Sequence, residues 1–137
     1  MATVRRQIII DASTRTIWAA LTTPDGLKSW LADDATVNLS AAGRIGITLE
    51  GDEGPITESG RFHTVRPTSK LEIHFEKHSP GPWKDTALEY TIAREGKQSV
   101  VSLVHSGATL DDPAVFKDVD DSWRRALVAL RDGLEGA

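Results

Sequence analysis

Cysteine is absent from the 137 residues, so disulfides, thiolate metal centres and cysteine nucleophiles are excluded at once. No apolar run approaches the roughly 20 residues that a membrane-crossing helix needs. The N-terminal stretch Met1 to Gln7 carries Arg5 and Arg6, but no apolar segment of signal-peptide length follows it. Excess charge of one sign is also small, since Lys+Arg 16 against Asp+Glu 20 leaves a formal net charge of −4. A mildly acidic chain lacks the basic stripe that neutralises phosphates, so neither nucleic acid nor an anionic membrane is an expected partner. Repeats, low-complexity segments and linkers are missing as well. What remains is an ordinary balance of 39% apolar and 26% charged residues, in a length that suits one domain with its own core. One cytoplasmic domain over residues 1–137, as monomer or homodimer, is the expectation.

The order of elements can be read from periodicity and punctuation. Thr3 to Ile10 ends in three isoleucines and reads as a strand. Ser13 is placed to cap a helix over Thr14 to Thr22, and Thr23 with Pro24 starts a second short helix holding Leu27, Trp30 and Leu31. Strands are then predicted over Thr36 to Leu39, Arg44 to Glu50, Ile56 to Arg66, Leu71 to Glu76, Thr86 to Arg94 and Ser99 to Ser106. Turn chemistry at Ser40 to Gly43, Gly51 to Pro55, Pro67 to Ser69, His78 to Pro82 and Glu95 to Lys97 separates them. Such hairpins build one antiparallel sheet with one buried face. A final helix starts at Asp111 or Asp112 with Pro113 in its first turn, and runs roughly 22 residues, about 33 Å. Its stripe is Phe116, Val119, Trp123, Leu127, Leu130 and Leu134, and Asp120–Arg124 and Asp121–Arg125 are spaced as ion pairs. The stripe needs a surface to cover it, and the apolar face of the sheet is the one large enough.

The chemical motifs are sparse. His63, His74, His78 and His105 form no His-x-His or His-Glu-x-x-His pattern, and His74 and His78 fall on a strand and a loop, so no metal and no cofactor are expected. There is no Gly-x-Ser-x-Gly elbow, and the glycine spacings fit neither a phosphate loop nor a dinucleotide fingerprint. The vicinal pairs Asp33-Asp34 and Asp120-Asp121 diverge by about 100° on a helix, which disfavours an acid/base dyad. His105 shares the inward phase of Val101 and Leu103. It reads as a hydrogen-bonded core histidine, as a polar anchor for a ligand, or as a base. Strand phases place Ile47, Phe75, Tyr90 and His105 opposite Trp123 and Leu127 of the last helix. Phe62 has an ambiguous phase, because it and Val65 point to opposite faces of a regular strand. Trp18 reads as core, and Trp83, between Pro82 and Lys84, as a loop or entrance residue.

An ordered set of residues adds a likeness. Ile10-Asp11-Ala12, Ile17-Trp18-Ala19-Ala20-Leu21-Thr22, Pro24, Leu27 and Trp30 resemble the opening of the SRPBCC (START-like) superfamily. Gly43, Gly60, the turn from Pro67 to Leu71, the run Val101 to Gly107, and Trp123 with Leu127 and Leu130 extend the likeness over residues 4 to 134. Within the superfamily the chain most resembles the family related to the C-terminal domain of the activator of Hsp90 ATPase. It departs from that pattern at Ser13, Ala42, Thr68, Ala108 and Ser122.

The resemblance implies an α+β helix-grip fold: a curved antiparallel sheet of six or seven strands, two short helices after the first strand, and a long C-terminal helix across the concave face. It also implies a cavity between sheet and helix for a small hydrophobic ligand, lipid-like or aromatic. The candidate ligand-binding residues are Trp30, Ile47, Phe62, Phe75, Tyr90, His105, Trp123 and Leu127, and none is assigned a catalytic role. Fold alone does not set function, and the same resemblance admits an enzyme of the aromatase/cyclase or hydrolase kind, or an Hsp90-type co-chaperone linked to stress.

Overall fold

The computed structural model describes residues 2–51 and 53–136. Asp52, inside the turn expected at Gly51 to Pro55, lies outside the described residues, as do the ends Met1 and Ala137. The elements are β1 (Thr3–Ile10), α1 (Thr14–Thr22), α2 (Pro24–Lys28), β2 (Asp34–Val37), β3 (Arg44–Gly51), β4 (Gly54–Arg66), β5 (Lys70–Phe75), β6 (Thr86–Glu95), β7 (Gln98–Gly107) and α3 (Pro113–Glu135). All seven strands form one antiparallel sheet in the order β1-β7-β6-β5-β4-β3-β2. Consecutive hairpins build β2 to β7, and β1 closes on the far side of β7. This is the expected helix-grip arrangement, a curved sheet gripping a long C-terminal helix. Among the described residues no helix is long and apolar enough to cross a membrane.

The helix boundaries follow their caps. Ser13 Oγ accepts from the Thr16 N–H, Thr23 Oγ1 from the Gly26 N–H, and the Asp112 carboxylate from the Ala114 N–H, with Pro24 and Pro113 in the first turns. The caps supply acceptors for N–H groups that no helical carbonyl can reach. The α3 stripe is buried at Val119, Trp123, Leu127 and Leu130, while Phe116 and Leu134 at its two ends are half-buried. Asp120 does not pair with Arg124. It takes Arg6 of β1 in a two-pronged ion pair, Nε to Oδ1 at 2.9 Å and NH2 to Oδ2 at 2.8 Å. Asp121 pairs with Lys117 at 2.9 Å, not with Arg125. Arg6 reaches Asp120 across the contact between β1 and α3, and Lys117 reaches Asp121 from one turn earlier on the same helix. The Arg6–Asp120 fork ties α3 to the edge strand that it crosses, and its donated hydrogen bonds hold the guanidinium above its ordinary pKa.

Two other expectations shift. The second strand is Asp34–Val37, not Thr36 to Leu39, because its register sets Ala35 against Ile47, both buried, and Asn38 onward turns back towards Arg44. Trp18 is only half-buried; Ile17 and Leu21 of the same helix take the core positions. The ambiguous phase of β4 has a simple resolution. Phe62 pairs with Ile73 and Thr64 with Glu72, so His63 is an extra residue in a β-bulge. One extra residue reverses the phase of the rest of the strand. Phe62 and Val65 therefore both pack against the core, and His63 and Thr64 both lie on the outer face.

Candidate functional site

The site grows from the inward positions of β3 to β7 beneath α3. All eight candidate residues are buried: Trp30, Ile47, Phe62, Phe75, Tyr90, Trp123 and Leu127 belong to one hydrophobic cluster, and His105 is a buried polar residue among its aromatic rings. At its centre, Trp123 of α3 stacks on Trp83, with ring centroids 5.2 Å apart and planes 17° from parallel. Tyr90 meets Trp123 edge-on at 6.1 Å, Phe75 meets Trp83 edge-on at 5.2 Å, and Trp30 lies 6.4 Å from Trp123. Trp30 is held from α1, where the Ala20 carbonyl accepts from its Nε1–H at 2.8 Å.

His105 lies inside this aromatic box and is fully occupied. The Trp123 Nε1–H donates to its Nδ1 at 3.0 Å, which fixes Nδ1 as an acceptor. Its Nε2 therefore carries the hydrogen and faces Thr86 Oγ1 at 2.8 Å, and the Thr86 hydroxyl donates in turn to the Trp83 carbonyl at 2.5 Å. The chain of bonds runs from α3 through β7 and β6 to the loop of residues 76–85 without a spare donor. Burial pushes the imidazole down to about 3, so the ring is neutral. Close approach supports the arrangement: Gly107, at φ 155°, presses so tightly on Thr86 that a Cβ would come within 2.6 Å of its Cγ2.

Trp83, expected as a loop or entrance residue, lies on the loop between β5 and β6 and completes the box. Trp83 is 5% exposed. Its loop is drawn inward by Glu58, a carboxylate with no exposed surface on β4. Ser79 Oγ donates to Glu58 Oε1 at 2.5 Å, and the Trp83 backbone N–H donates to Oε2 at 3.1 Å. Gly81 is required there, because a Cβ would overlap Glu58 Oε2. The signal for Glu58 was present in the sequence: the two-residue phase that turns Phe62 inward also turns Ile56, Glu58 and Gly60 inward. Trp83 carried no comparable signal, since a loop has no periodicity. Glu58→Ala is expected to lower stability by about 2–3 kcal/mol, because two buried donors lose their acceptor. Urea unfolding followed by tryptophan fluorescence measures the loss, and an unchanged midpoint would show that the loop is held by other contacts.

Beside the box lies a pocket of about 690 Å³. The stacked Trp83 and Trp123 border it, with Leu31, Leu49, Ile56 and Val119 adding apolar wall. Its rim carries Glu50, Asp118, Asp121 and Arg125. The hydrogen bond from Lys117 holds the Asp121 carboxyl below its ordinary pKa, so that side of the rim stays charged. Of the eight candidate residues, Trp123 alone borders this pocket; the other seven pack behind it or elsewhere in the core.

Comparison with known proteins matches residues 11–135 to the family described as "Activator of Hsp90 ATPase homolog 1-like protein". Among solved structures, the chain is similar to the Aha1 dimer of Colwellia psychrerythraea, with 26% identity, a TM-score of 0.80, and coverage of 98% of this chain and 97% of that one. A Mesorhizobium loti protein shares the fold at a TM-score of 0.84 and 19% identity, covering 99% of this chain and 98% of its own. So does an AHSA1-like protein of Aeromonas hydrophila, at 0.75 and 17%, covering 96% of this chain and 92% of its own. Comparison with the curated proteins finds no significant match.

Proposed function

Because the chain belongs to the activator of Hsp90 ATPase homolog 1-like family, whose fold supports ligand binding in general, we propose that it binds one small hydrophobic ligand, aromatic or lipid-like, with a polar end. The carrying observation is the pocket of about 690 Å³ against the Trp83–Trp123 pair. That volume lies in the usual range for small-molecule sites, and a rigid aromatic wall with a few polar groups at its edge is the usual composition. The ligand's apolar body lies along Leu31, Leu49, Ile56 and Val119, with the nearly covered edges of Trp83 and Trp123 at its back. Its polar end points to Asp118, Asp121 and Arg125 at the rim, because both ring nitrogens of His105 are already bonded. Trp30, Phe75, Tyr90 and His105 brace the indole pair from behind, and Ile47, Phe62 and Leu127 keep the surrounding core in place.

The test is a screen of aromatic acids, aromatic amines and fatty acids by thermal shift and tryptophan fluorescence. A ligand at one hundred times its Kd stabilises the fold by about 2.7 kcal/mol, and contact with the indoles changes their emission. Ala126, half-buried on the pocket wall, gives the control: Ala126→Phe fills the space and is expected to abolish binding while the protein stays folded. Leu127→Ala is expected to cost about 2–5 kcal/mol as a core truncation and to leave ligand affinity unchanged. Absence of any thermal or fluorescence response across the three ligand classes would overturn the proposal.

A further inference from the structure

The outer face of the sheet, away from α3, holds a group of side chains that the pocket does not use. His63 stands at the bulge of β4, and Glu72 and His74 stand on β5 beside it. The sheet brings them together although Glu72 lies nine positions after His63 in sequence. His74 Nε2 lies 2.6 Å from Glu72 Oε2, and His63 Nδ1 lies 3.2 Å from the same oxygen. The two imidazoles stack with centroids 4.3 Å apart and planes 15° from parallel. One ligand atom from each of the three residues falls within 4.8 Å of the others.

We propose that His63, Glu72 and His74 form a surface site for one divalent transition-metal ion of the zinc and copper class. Two imidazoles and a carboxylate are the donor set that such ions favour, and the oxygen-seeking Mg²⁺ and Ca²⁺ do not. Each ring nitrogen that faces Glu72 presents an N–H to a group that only accepts. A bound metal takes each imidazole in the tautomer that carries its hydrogen on the other ring nitrogen, which leaves both facing nitrogens as lone pairs aimed at one point. Tetrahedral coordination at about 2.0–2.1 Å per bond needs the rings to tilt out of their stack. They are free to do so, since the His63 and His74 side chains are 58% and 48% exposed. The backbone already supplies the scaffold: two paired strands fix the three Cβ atoms, and the bulge turns His63 to the outer face. His63 and His74 also border an open groove of about 510 Å³ shared with Arg61, so the remaining coordination positions face solvent. Sequence spacing concealed the set, because the ligands meet across a hairpin and not along one helix or loop.

The experiment is calorimetric titration of untagged, chelator-treated protein with Zn²⁺ and separately with Cu²⁺, with Mg²⁺ as the control ion. One equivalent is expected to bind for each transition metal and none for Mg²⁺. His63→Ala, His74→Ala and Glu72→Gln are each expected to weaken binding roughly tenfold or more, with circular dichroism unchanged. His78→Ala is expected to bind as the parent does, since His78 borders the same groove but pairs with Glu76 at 2.7 Å and lies outside the three-residue group. Histidine ring ¹H–¹⁵N spectra are expected to shift for two of the four histidines on adding Zn²⁺. No heat with either metal would overturn the site. So would binding that survives the His63→Ala, His74→Ala double variant, or that His78→Ala weakens equally.

Discussion

Trp123→Ala is expected to lower the unfolding free energy by about 5 kcal/mol, the largest loss from any single truncation in the aromatic box. Two effects add. The indole is 1% exposed and packs against Trp83, Tyr90 and Trp30, so its removal forfeits a large buried area and leaves a cavity between α3 and the sheet. Its Nε1–H is also the donor to His105 Nδ1, and a buried acceptor without a donor carries its own desolvation cost. Trp123→Phe separates the two effects. The ring area is largely kept and the donor is lost, so about 1–3 kcal/mol of destabilisation is expected. Since a domain this size is stable by only about 5–15 kcal/mol, the alanine variant will sit near the folding threshold, and the phenylalanine variant keeps the comparison measurable. Chemical denaturation at neutral pH decides it. A cost below about 2 kcal/mol for Trp123→Ala, out of line with a core truncation, would mean that the box relaxes into the space and that Trp123 is not its keystone.

Acid is expected to destabilise the protein through His105. The ring titrates near 6.5 in an unfolded chain and at about 3 when folded. Between those values the unfolded state binds a proton that the folded state does not, so stability rises with pH across the window. The contribution is complete above about 6.5 and is lost progressively as the pH falls towards about 3, at up to ~1.4 kcal/mol per pH unit and ~5 kcal/mol in all. The cause is burial, which disfavours the charged ring; a charged imidazole would also need a second hydrogen on Nδ1, the atom that accepts from Trp123. Protonation thus breaks the α3 end of the bond chain as well as placing charge in an apolar box. Urea unfolding of the parent and of His105→Gln at pH 7, 6, 5 and 4 measures the term as the difference of two curves. The variant starts less stable at pH 7 and falls less steeply. Parallel curves would remove His105 from the acid response.

Much of the fold was legible because its signals are local. Ser13, Thr23-Pro24 and Asp112-Pro113 act within one helical turn, so the helix starts could be read from neighbouring residues. Alternation in Arg44–Gly51, Lys70–Phe75, Thr86–Glu95 and Gln98–Gly107 depends only on the pleat, so the inward residues could be named. Ion pairing was less legible. The i,i+4 spacing of Asp120 and Arg124 is a local possibility, and Arg6 on a strand more than a hundred residues away competes for the same carboxylate and holds it.

The site divides along the same line. Period and capping, read from the sequence alone, determined that Ile47, Phe75, Tyr90, His105, Trp123 and Leu127 face one interior. Tertiary structure alone decided how that interior is packed and bonded. The bulge at His63 set the phase of Phe62 and Val65, Glu58 pulled Trp83 from its loop into the box, and Trp123 and Thr86 together took both nitrogens of His105. The physical reason is range. A cap or a pleat is satisfied by residues a few positions apart, whereas these contacts join groups 18 to 25 positions apart in sequence. Such groups meet only once strand register and helix placement have been set by the whole core.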